Sequence, residues 1–374
     1  MQRDLTTDDL TPNTHDHRFA CGTCGADMRF APENGALACD HCGAHAPLDT
    51  GGAQPVRELD YRAALDAQLP HQDIVEARVS QCPNCGALVE FDESVHADEC
   101  PYCATPVVTD TGAHRQIKPR GLLPFALPES QAHDAMSDWL GRLWFAPNGL
   151  KAYARKGRKL DGIYVPYWTF DADTTSRYSG QRGDDYYVTR RVTHNGETKT
   201  IRERKTRWSR RSGQVARFFD DVLVLASHAL PRKYTQGLEP WDLSEMEPYV
   251  PDYLAGFRSE AYSVTLDEGF TAARAHMDRV ILRDVKFDIG GDRQQVHDVR
   301  TDVRAVTFKH ILLPVWMAAY KYRGKSYRFV VNGRTGRVQG ERPYSAWKIA
   351  FAAVGLAILA AGIGYLVAIN QPPQ

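Results

Sequence analysis

The chain predicts a multidomain protein: two small four-cysteine zinc ribbons, an α+β domain rich in antiparallel hairpins, and one C-terminal transmembrane helix. Three observations lead there. All eight cysteines fall in CxxC pairs, spaced as two equal arrays. Between residues 119 and 345, helix-period segments alternate with strand-like runs ended by turn residues. Near the C-terminus, Ile349 to Ile369 carries no charge and is long enough, at about 1.5 Å per residue, to cross a hydrocarbon core of roughly 30 Å.

The 374 residues have formal net charge zero, but the charge is uneven. Residues 1–118 hold 19 Asp and Glu against 8 Lys and Arg, whereas residues 151–211 hold 16 basic against 7 acidic. With 43% hydrophobic residues the chain can bury real cores, so general disorder is excluded. Residues 1–17 are polar, have no apolar stretch of a signal peptide and read as a mobile tail.

The first ribbon, residues 18–48, carries Cys21, Cys24, Cys39 and Cys42. The second, residues 79–110, carries Cys82, Cys85, Cys100 and Cys103 with the same 14-residue gap. Two thiolate pairs on facing knuckles close a tetrahedral shell, and soft thiolates in that geometry select zinc, giving two structural Zn2+ sites. Thioredoxin-like redox chemistry expects one pair at a helix start, and iron–sulfur clusters use other spacings. Gly25, Gly43 and Gly86 follow the second Cys of a pair, where a left-handed residue suits the turn; Ala104 takes that place in the fourth knuckle. His41, His45 and His96 lie nearby, but each array is already complete. A closed shell has no open position for water, so no catalysis is expected at these metals. The ribbons also sit in an acidic segment that would repel phosphate, which favours protein contact over nucleic acid. Between them, residues 49–78 read as a helical linker from Pro55 to Pro70, with Tyr61, Leu65 and Leu69 on one face.

In the α+β domain, residues 119–345, Ser130 opens a helix with Ala132, Met136, Trp139, Leu140 and Leu143 on one side. It stops at Ala146 to Gly149, and Lys151 to Lys159 then adds five basic residues suited to anionic headgroups or to water. Ile163 to Phe170 reads as a strand, and Tyr186 to Thr193 with Thr198 to Trp208 form a hairpin around Asn195-Gly196. Lys199, Arg202, Arg204, Lys205, Arg207, Arg210 and Arg211 make its second arm an anionic-surface candidate, with a solvated hairpin first, a membrane surface second and nucleic acid third. Asp220 and Asp221 precede the strand Val222 to Ala226 and read as a turn or cap. After an irregular aromatic stretch, Asp267 caps a helix to about Val285 carrying Phe270, Ala273, Met277 and Ile281 on one face, and Gly290 and Gly291 turn the chain. Pro166 and Trp168, then Tyr178 and Gly180, are echoed by Pro314 and Trp316, then Tyr322 and Gly324. Each set follows a helix, which suggests two related helix-then-hairpin units.

The anchor spans residues 347–369, with Trp347, Lys348 and Tyr365 as interfacial residues. Arg334, Arg337, Arg342 and Lys348 precede it and Asn370 to Gln374 carries no side-chain charge, so the positive-inside rule places the preceding chain in the cytoplasm. Small residues recur along the helix, compatible with pairing in the bilayer and a homo-oligomer. Nothing matches HExxH, a nucleophile elbow, a dinucleotide fingerprint or a GxxxxGK[ST] loop. His228, His276, His297 and His310 are scattered and read as ordinary domain histidines.

Through the two cysteine arrays and the segments 162–170, 219–222, 238–242, 288–292, 308–316 and 340–345, the chain resembles a bacterial family of membrane-anchored zinc-ribbon proteins. Its members are often labelled TFIIB-type zinc-finger or primosomal-helicase-like. The resemblance implies the bacterial inner membrane and partners among cytosolic and membrane-stress proteins, such as phage-shock-type and SPFH-like scaffold proteins. The helicase label rests on the ribbons alone, since the phosphate loop of such a motor is missing. The expected function is therefore a non-enzymatic adaptor whose ribbons recruit proteins to the bilayer. The alternatives are a membrane-tethered nucleic-acid-binding protein using the basic hairpin, and an enzyme with a site in the α+β domain.

Overall fold

A computed structural model describes residues 19–50, 55–90, 97–103, 105–108, 113–145, 160–194, 197–322, 325–341 and 344–369. The expected N-terminal tail, His96, Ala104, the Ala146 to Gly149 turn, the basic run 151–159, Asn195-Gly196, Gly324, Arg342 and the terminal Asn370 to Gln374 lie outside the described residues.

The nine strands of the main sheet are β1 (Leu59–Asp60), β2 (Gly121–Leu122), β3 (Asp161–His194), β4 (Glu197–Leu225), β5 (Glu247–Pro248), β6 (Arg258–Ser259), β7 (Arg293–Tyr322), β8 (Lys325–Asn332) and β9 (Val338–Gly340). Among the described residues five α-helices accompany them: α1 (Tyr61–Leu65), α2 (Glu129–Arg142), α3 (Arg232–Leu238), α4 (Leu266–Ile289) and α5 (Ala346–Ile369). The sheet runs β4-β3-β7-β2-β5; β6 pairs with β3, β1 and β8 pair with β7, and β9 pairs with β8.

What the sequence shows as separate strand segments is continuous in space. β3 is 34 residues long and β4 is 29, and they pair antiparallel from Tyr167↔Leu225 to His194↔Glu197. The pairing register puts residues of one parity on one face. On β3, Ala172, Thr174, Ser176, Tyr178 and Gly180 are buried, while Arg177 and Ser179 are exposed. The buried face receives α4, whose Ala273, Met277, Ile281, Val285 and Ile289 pack with Trp168, Phe170 and Tyr178. Contact there is close enough to require glycine: a Cβ on Gly180 would lie 2.4 Å from the Gln295 carbonyl oxygen. The helix is capped two residues earlier than the expected Asp267. Thr265 caps it, accepting from the Glu268 amide while Glu268 accepts from the Thr265 amide, a reciprocal arrangement that leaves Asp267 inside the first turn.

The echo between Trp168 and Trp316 has a geometric basis. β3 and β7 are antiparallel neighbours, pairing Gly162↔Trp316, Val165↔Leu313 and Trp168↔His310, so the two Pro-x-Trp segments exchange places about Val165↔Leu313. Trp168 Nε1 donates to the Val264 carbonyl (3.0 Å), the residue before the cap of α4. Trp316 Nε1 donates to the Leu127 carbonyl (2.9 Å), the residue before the cap of α2. Backbone bonds repeat the same relation. β6 pairs parallel with β3 at Ile163 and Tyr164, and β2 pairs parallel with β7 at Ile311 and Leu312. The Ala226 amide donates to the Pro166 carbonyl and the Ala226 carbonyl accepts from the Ser263 and Val264 amides, just as the Gly333 amide donates to the Pro314 carbonyl and the Gly333 carbonyl accepts from the Ala126 and Leu127 amides. Each unit's entering strand thus pairs with the other unit's long strand, and neither half closes its own sheet.

Several expectations need correction. The linker helix is only the five residues of α1, capped by Asp60; the preceding Leu59 and Asp60 are drawn into the sheet against Phe308 and Thr307, and Leu65 is half exposed. Tertiary pairing overrides helix periodicity there. The second ribbon also extends beyond residues 79–110, because Ile74–Gln81 pairs with Leu88–Glu90 on one side and Ala113–Ile117 on the other. Asp220 and Asp221 form no turn. They sit in mid-strand, opposite the register shift between Phe170 and Ala172, with Asp221 at φ 49°.

His310, on β7, is buried among Trp168 and Tyr262, and its neutral ring donates from Nδ1 to the Ile117 carbonyl (2.7 Å). Burial lowers its pKa to about 4. As pH falls the unfolded chain takes up this proton first, so the stabilisation is full above the ordinary pKa of about 6.5 and is lost between there and about 4. At about 1.4 kcal/mol per pH unit this amounts to roughly 3 kcal/mol. The variant His310→Phe keeps the ring contacts and has nothing to titrate. Its unfolding midpoint in detergent should change less between pH 7 and pH 5 than that of the parent; an unchanged acid slope would remove His310 from the account.

Candidate metal centres and the basic arm

Each knuckle is a short backbone turn that sequence chemistry dictates. Gly25, Gly43 and Gly86 have φ of 75°, 72° and 75°, and each donates its amide back to the carbonyl of the first Cys of its pair. The turn aims further amides at sulfur. Those of Cys24 and Thr23 are the main reason the Cys21 thiol is lowered to about 6. In the second ribbon, donation from Cys100 lowers Cys85 to about 5, and Cys100 in turn is pushed up by the Cys85 thiolate and then by burial. One thiolate per cluster forms readily, and further ones need a cation to neutralise them.

The sequence brings the right groups together. Cys21, Cys24, Cys39 and Cys42 place all four Sγ atoms within 4.8 Å of one another, as do Cys82, Cys85, Cys100 and Cys103. The closest Sγ···Sγ distances are 3.6 Å in the first cluster and 3.5 Å in the second. Four sulfurs around one ion at about 2.3 Å would stand roughly 3.8 Å apart, so the donor sets fit a tetrahedral metal with little movement. His41 and His45 are exposed and outside the shell.

Neither ribbon is a free module. Cys21 and Cys39 pack with Phe30, Tyr253 and Leu254, and the Phe30 amide donates to the Ala255 carbonyl (2.9 Å). Cys82, Cys100, Cys103 and Tyr102 pack with Ile163 and Val165 of the sheet and with Leu123 just beyond β2. Val89 bridges Glu260, the Ala261 amide donates to the Leu88 carbonyl, and Tyr102 and Ser227 both donate to the Glu260 carboxylate. Burial is the main reason that carboxyl is raised to about 8. Both ribbons therefore brace the same segment, residues 253–261, that crosses between the two units.

The basic residues occupy the far end of the sheet. β7 stops pairing with β3 at Gly183↔Arg293, and β3 and β4 continue alone for 11 pairs, from Asp184↔Arg207 to His194↔Glu197. At roughly 3.3 Å per residue this two-stranded arm extends about 36 Å. Strand alternation separates the cations. Arg202, Arg204 and Arg210 lie on one face with Tyr187 and Trp208, while Lys205, Arg207 and Arg211 lie on the other, the parity that Lys199 also has. All six described side chains are exposed. Arg202 stacks over the Tyr187 ring at 4.2 Å, and Arg204 pairs with Asp185 at 3.5 Å.

Sequence reading missed one charge cluster. Lys309, nearly buried, contacts Asp221 (2.7 Å), Glu58 (3.4 Å) and Asp171 (3.6 Å), and Asp171 accepts from the Asp221 amide. These residues come from β3, β4, β7 and the segment before β1, so no local pattern could reveal them. The cluster pins the strand irregularity and holds β1 against the sheet.

α5 offers 20 residues, Trp347–Leu366, with mean hydropathy 2.2 and none of it buried; it is one helix long and apolar enough to cross a membrane. Its start is tied to the end of α2: the Ser345 amide donates to the Phe145 carbonyl, and Lys348 Nζ to that of Trp144 (3.1 Å). Of the basic residues before it, Arg334 pairs with Glu245 and Arg337 donates to the Glu239 carbonyl, so both also hold the body together.

No family model matches the chain, and no solved structure matches it. The chain is similar to an uncharacterised protein of Bacillus subtilis strain 168, YdjG, with 26% identity over 341 residues, which covers 89% of this chain and 92% of that protein.

Because three of the four cysteines in the second cluster are buried in the body whereas Cys24 and Cys42 of the first are exposed, the clusters should differ in response to metal removal. Elemental analysis of the purified chain is expected to give two ions per chain. A chelator should strip the first cluster sooner, and Cys100→Ser should lower the unfolding midpoint of the whole body more than Cys42→Ser does. Equal effects would contradict the shared core at the second ribbon.

Proposed function

We propose that this chain is a membrane-anchored, non-enzymatic adaptor. Two structural zinc ions hold its shape, α5 fixes it in a bacterial inner membrane, and its body faces the cytoplasm and receives protein partners of the membrane-stress kind. The observation that carries the reading is the arrangement of one wholly exposed apolar helix, tied at its first turn to a braced body that extends a long cationic arm. Such a body presents a fixed surface at the bilayer. Zinc is favoured over other metals by four soft thiolates in a shell with no open position. Cytoplasmic placement is favoured by Lys348 and the other basic residues before α5, and by eight cysteines in metal-type pairs rather than disulfides. The ribbons serve the adaptor by fixing the segment on which both units meet, with the exposed knuckles of the first ribbon left to touch partners.

The tagged intact chain, solubilised from membranes, is to be compared with a Cys24→Ser, Cys42→Ser variant that removes the two exposed cysteines of the first cluster. Carbonate-resistant membrane association in both, with partners retained by the parent and reduced in the variant, is the expected outcome. Release of the parent by carbonate, or digestion of the body by protease added outside intact right-side-out spheroplasts, would exclude this placement. Retention of no specific protein would exclude the adaptor role.

A further inference from the structure

We propose that the free edge of β4 is a docking strand for an acidic, extended segment of a partner protein, which adds to the sheet beside the arm. The proposal rests on the adaptor reading above and assigns its partner surface.

β4 is the outermost strand of its sheet, hydrogen-bonded to β3 along one side and to no strand along the other among the described residues. A strand of 29 residues with one side unpaired presents a long row of backbone donors and acceptors. Along residues 202–211 its side chains hold six cations, Arg202, Arg204, Lys205, Arg207, Arg210 and Arg211, against one acid, Glu203. Lys205, Arg207, Arg210 and Arg211 enter no ion pair among the described residues.

That charge selects the occupant. A second copy pairing through the same edge would set these cations against their duplicates, and like charges opposed across strands are destabilising. A phosphate chain laid on either face would reach only about half of the cations, because successive residues point to opposite faces. An added strand reaches both faces at once. Its alternate carboxylates would stand beside Arg202, Arg204 and Arg210 on one face and Lys205, Arg207 and Arg211 on the other, while its backbone pairs with β4.

At the foot of the strand the edge opens into a cleft of about 970 Å³ between β4, α3 and α4, walled by Leu223, Leu225, Trp241, Leu243 and Val280. Phe218 stands exposed at its rim. The cleft gives the added strand a place for an apolar side chain beyond its acidic stretch, which fixes register as well as charge.

The test uses the full chain in zwitterionic detergent and a labelled 12-residue peptide, three repeats of Glu-Glu-Thr-Val, whose acids fall on both faces of a strand. Its partners are the same peptide with N-methylated amides, a 12-nucleotide oligothymidylate, and phosphatidylglycerol vesicles. We expect the peptide to bind in low salt and to protect amides of residues 201–217 from hydrogen exchange. The N-methylated peptide and the combined Lys205→Glu, Arg207→Glu, Arg210→Glu variant should each weaken binding at least tenfold, with the variant's unfolding midpoint unchanged. Equal binding of the N-methylated peptide, tighter binding of oligothymidylate or vesicles, protection outside β4, or no peptide binding overturns the proposal. Should it be overturned while the tagged chain still retains partners, the adaptor reading stands on another surface. Loss of partner retention with peptide binding intact removes the adaptor reading alone.

Discussion

The antiparallel pairing of β3 with β7 about Val165↔Leu313 is the contact on which the rest of the body depends. It sets the two Pro-x-Trp segments side by side in opposite directions, so each tryptophan can reach the carbonyl just before a helix cap. Both helices are thereby aimed onto the sheet they follow from. Because β2 pairs with β7 and β6 with β3, each unit completes the other's sheet, and the two should fold together rather than in turn.

The ribbons gain significance in that frame. A four-cysteine ribbon alone has too few apolar residues to be stable without metal. Here the two four-cysteine clusters share cores with the sheet, and both lean on residues 253–261, where the chain passes from one unit to the next. A metal held by either cluster would therefore be coupled to the geometry of the whole body. Glu260 shows how tightly: a buried carboxyl shared by Tyr102 of the second ribbon and Ser227 of the sheet end. Leaving it without either donor would expose the full cost of a buried polar group.

Extension of β3 and β4 beyond the last pair of β7 has a different physical character. The central sheet is covered on one face by α4 and has a buried, apolar interior there. Past Gly183 no helix among the described residues covers the pair, aromatic rings turn outward, and charge replaces burial. A strand pair without a core persists through its cross-strand contacts, among them Arg202 on Tyr187 and Arg204 with Asp185.

The amino-acid sequence by itself determined the features whose physics is local. Knuckle glycines, CxxC spacing, the apolar run of α5 and the antiparallel pairing of the two arms that end at His194 and Glu197 depend on neighbours a few residues away, and each is found where it was read. The faces of α2 and α4 were legible for the same reason, since Ala132, Met136 and Leu140, like Ala273, Met277 and Ile281, repeat at the helical period. Tertiary structure alone decided what depends on distant partners. It shortened the linker helix by recruiting Leu59 to Phe308, and joined Ile163 to Phe170 with the hairpin into one strand. Asp220 and Asp221 became part of a strand irregularity rather than a turn, because Lys309 arrives there from a strand almost ninety positions on. Glu58, Asp171, Asp221 and Lys309 left no common signal in the chain: strand pairing, which costs loop entropy but leaves no spacing rule, is what brought them together.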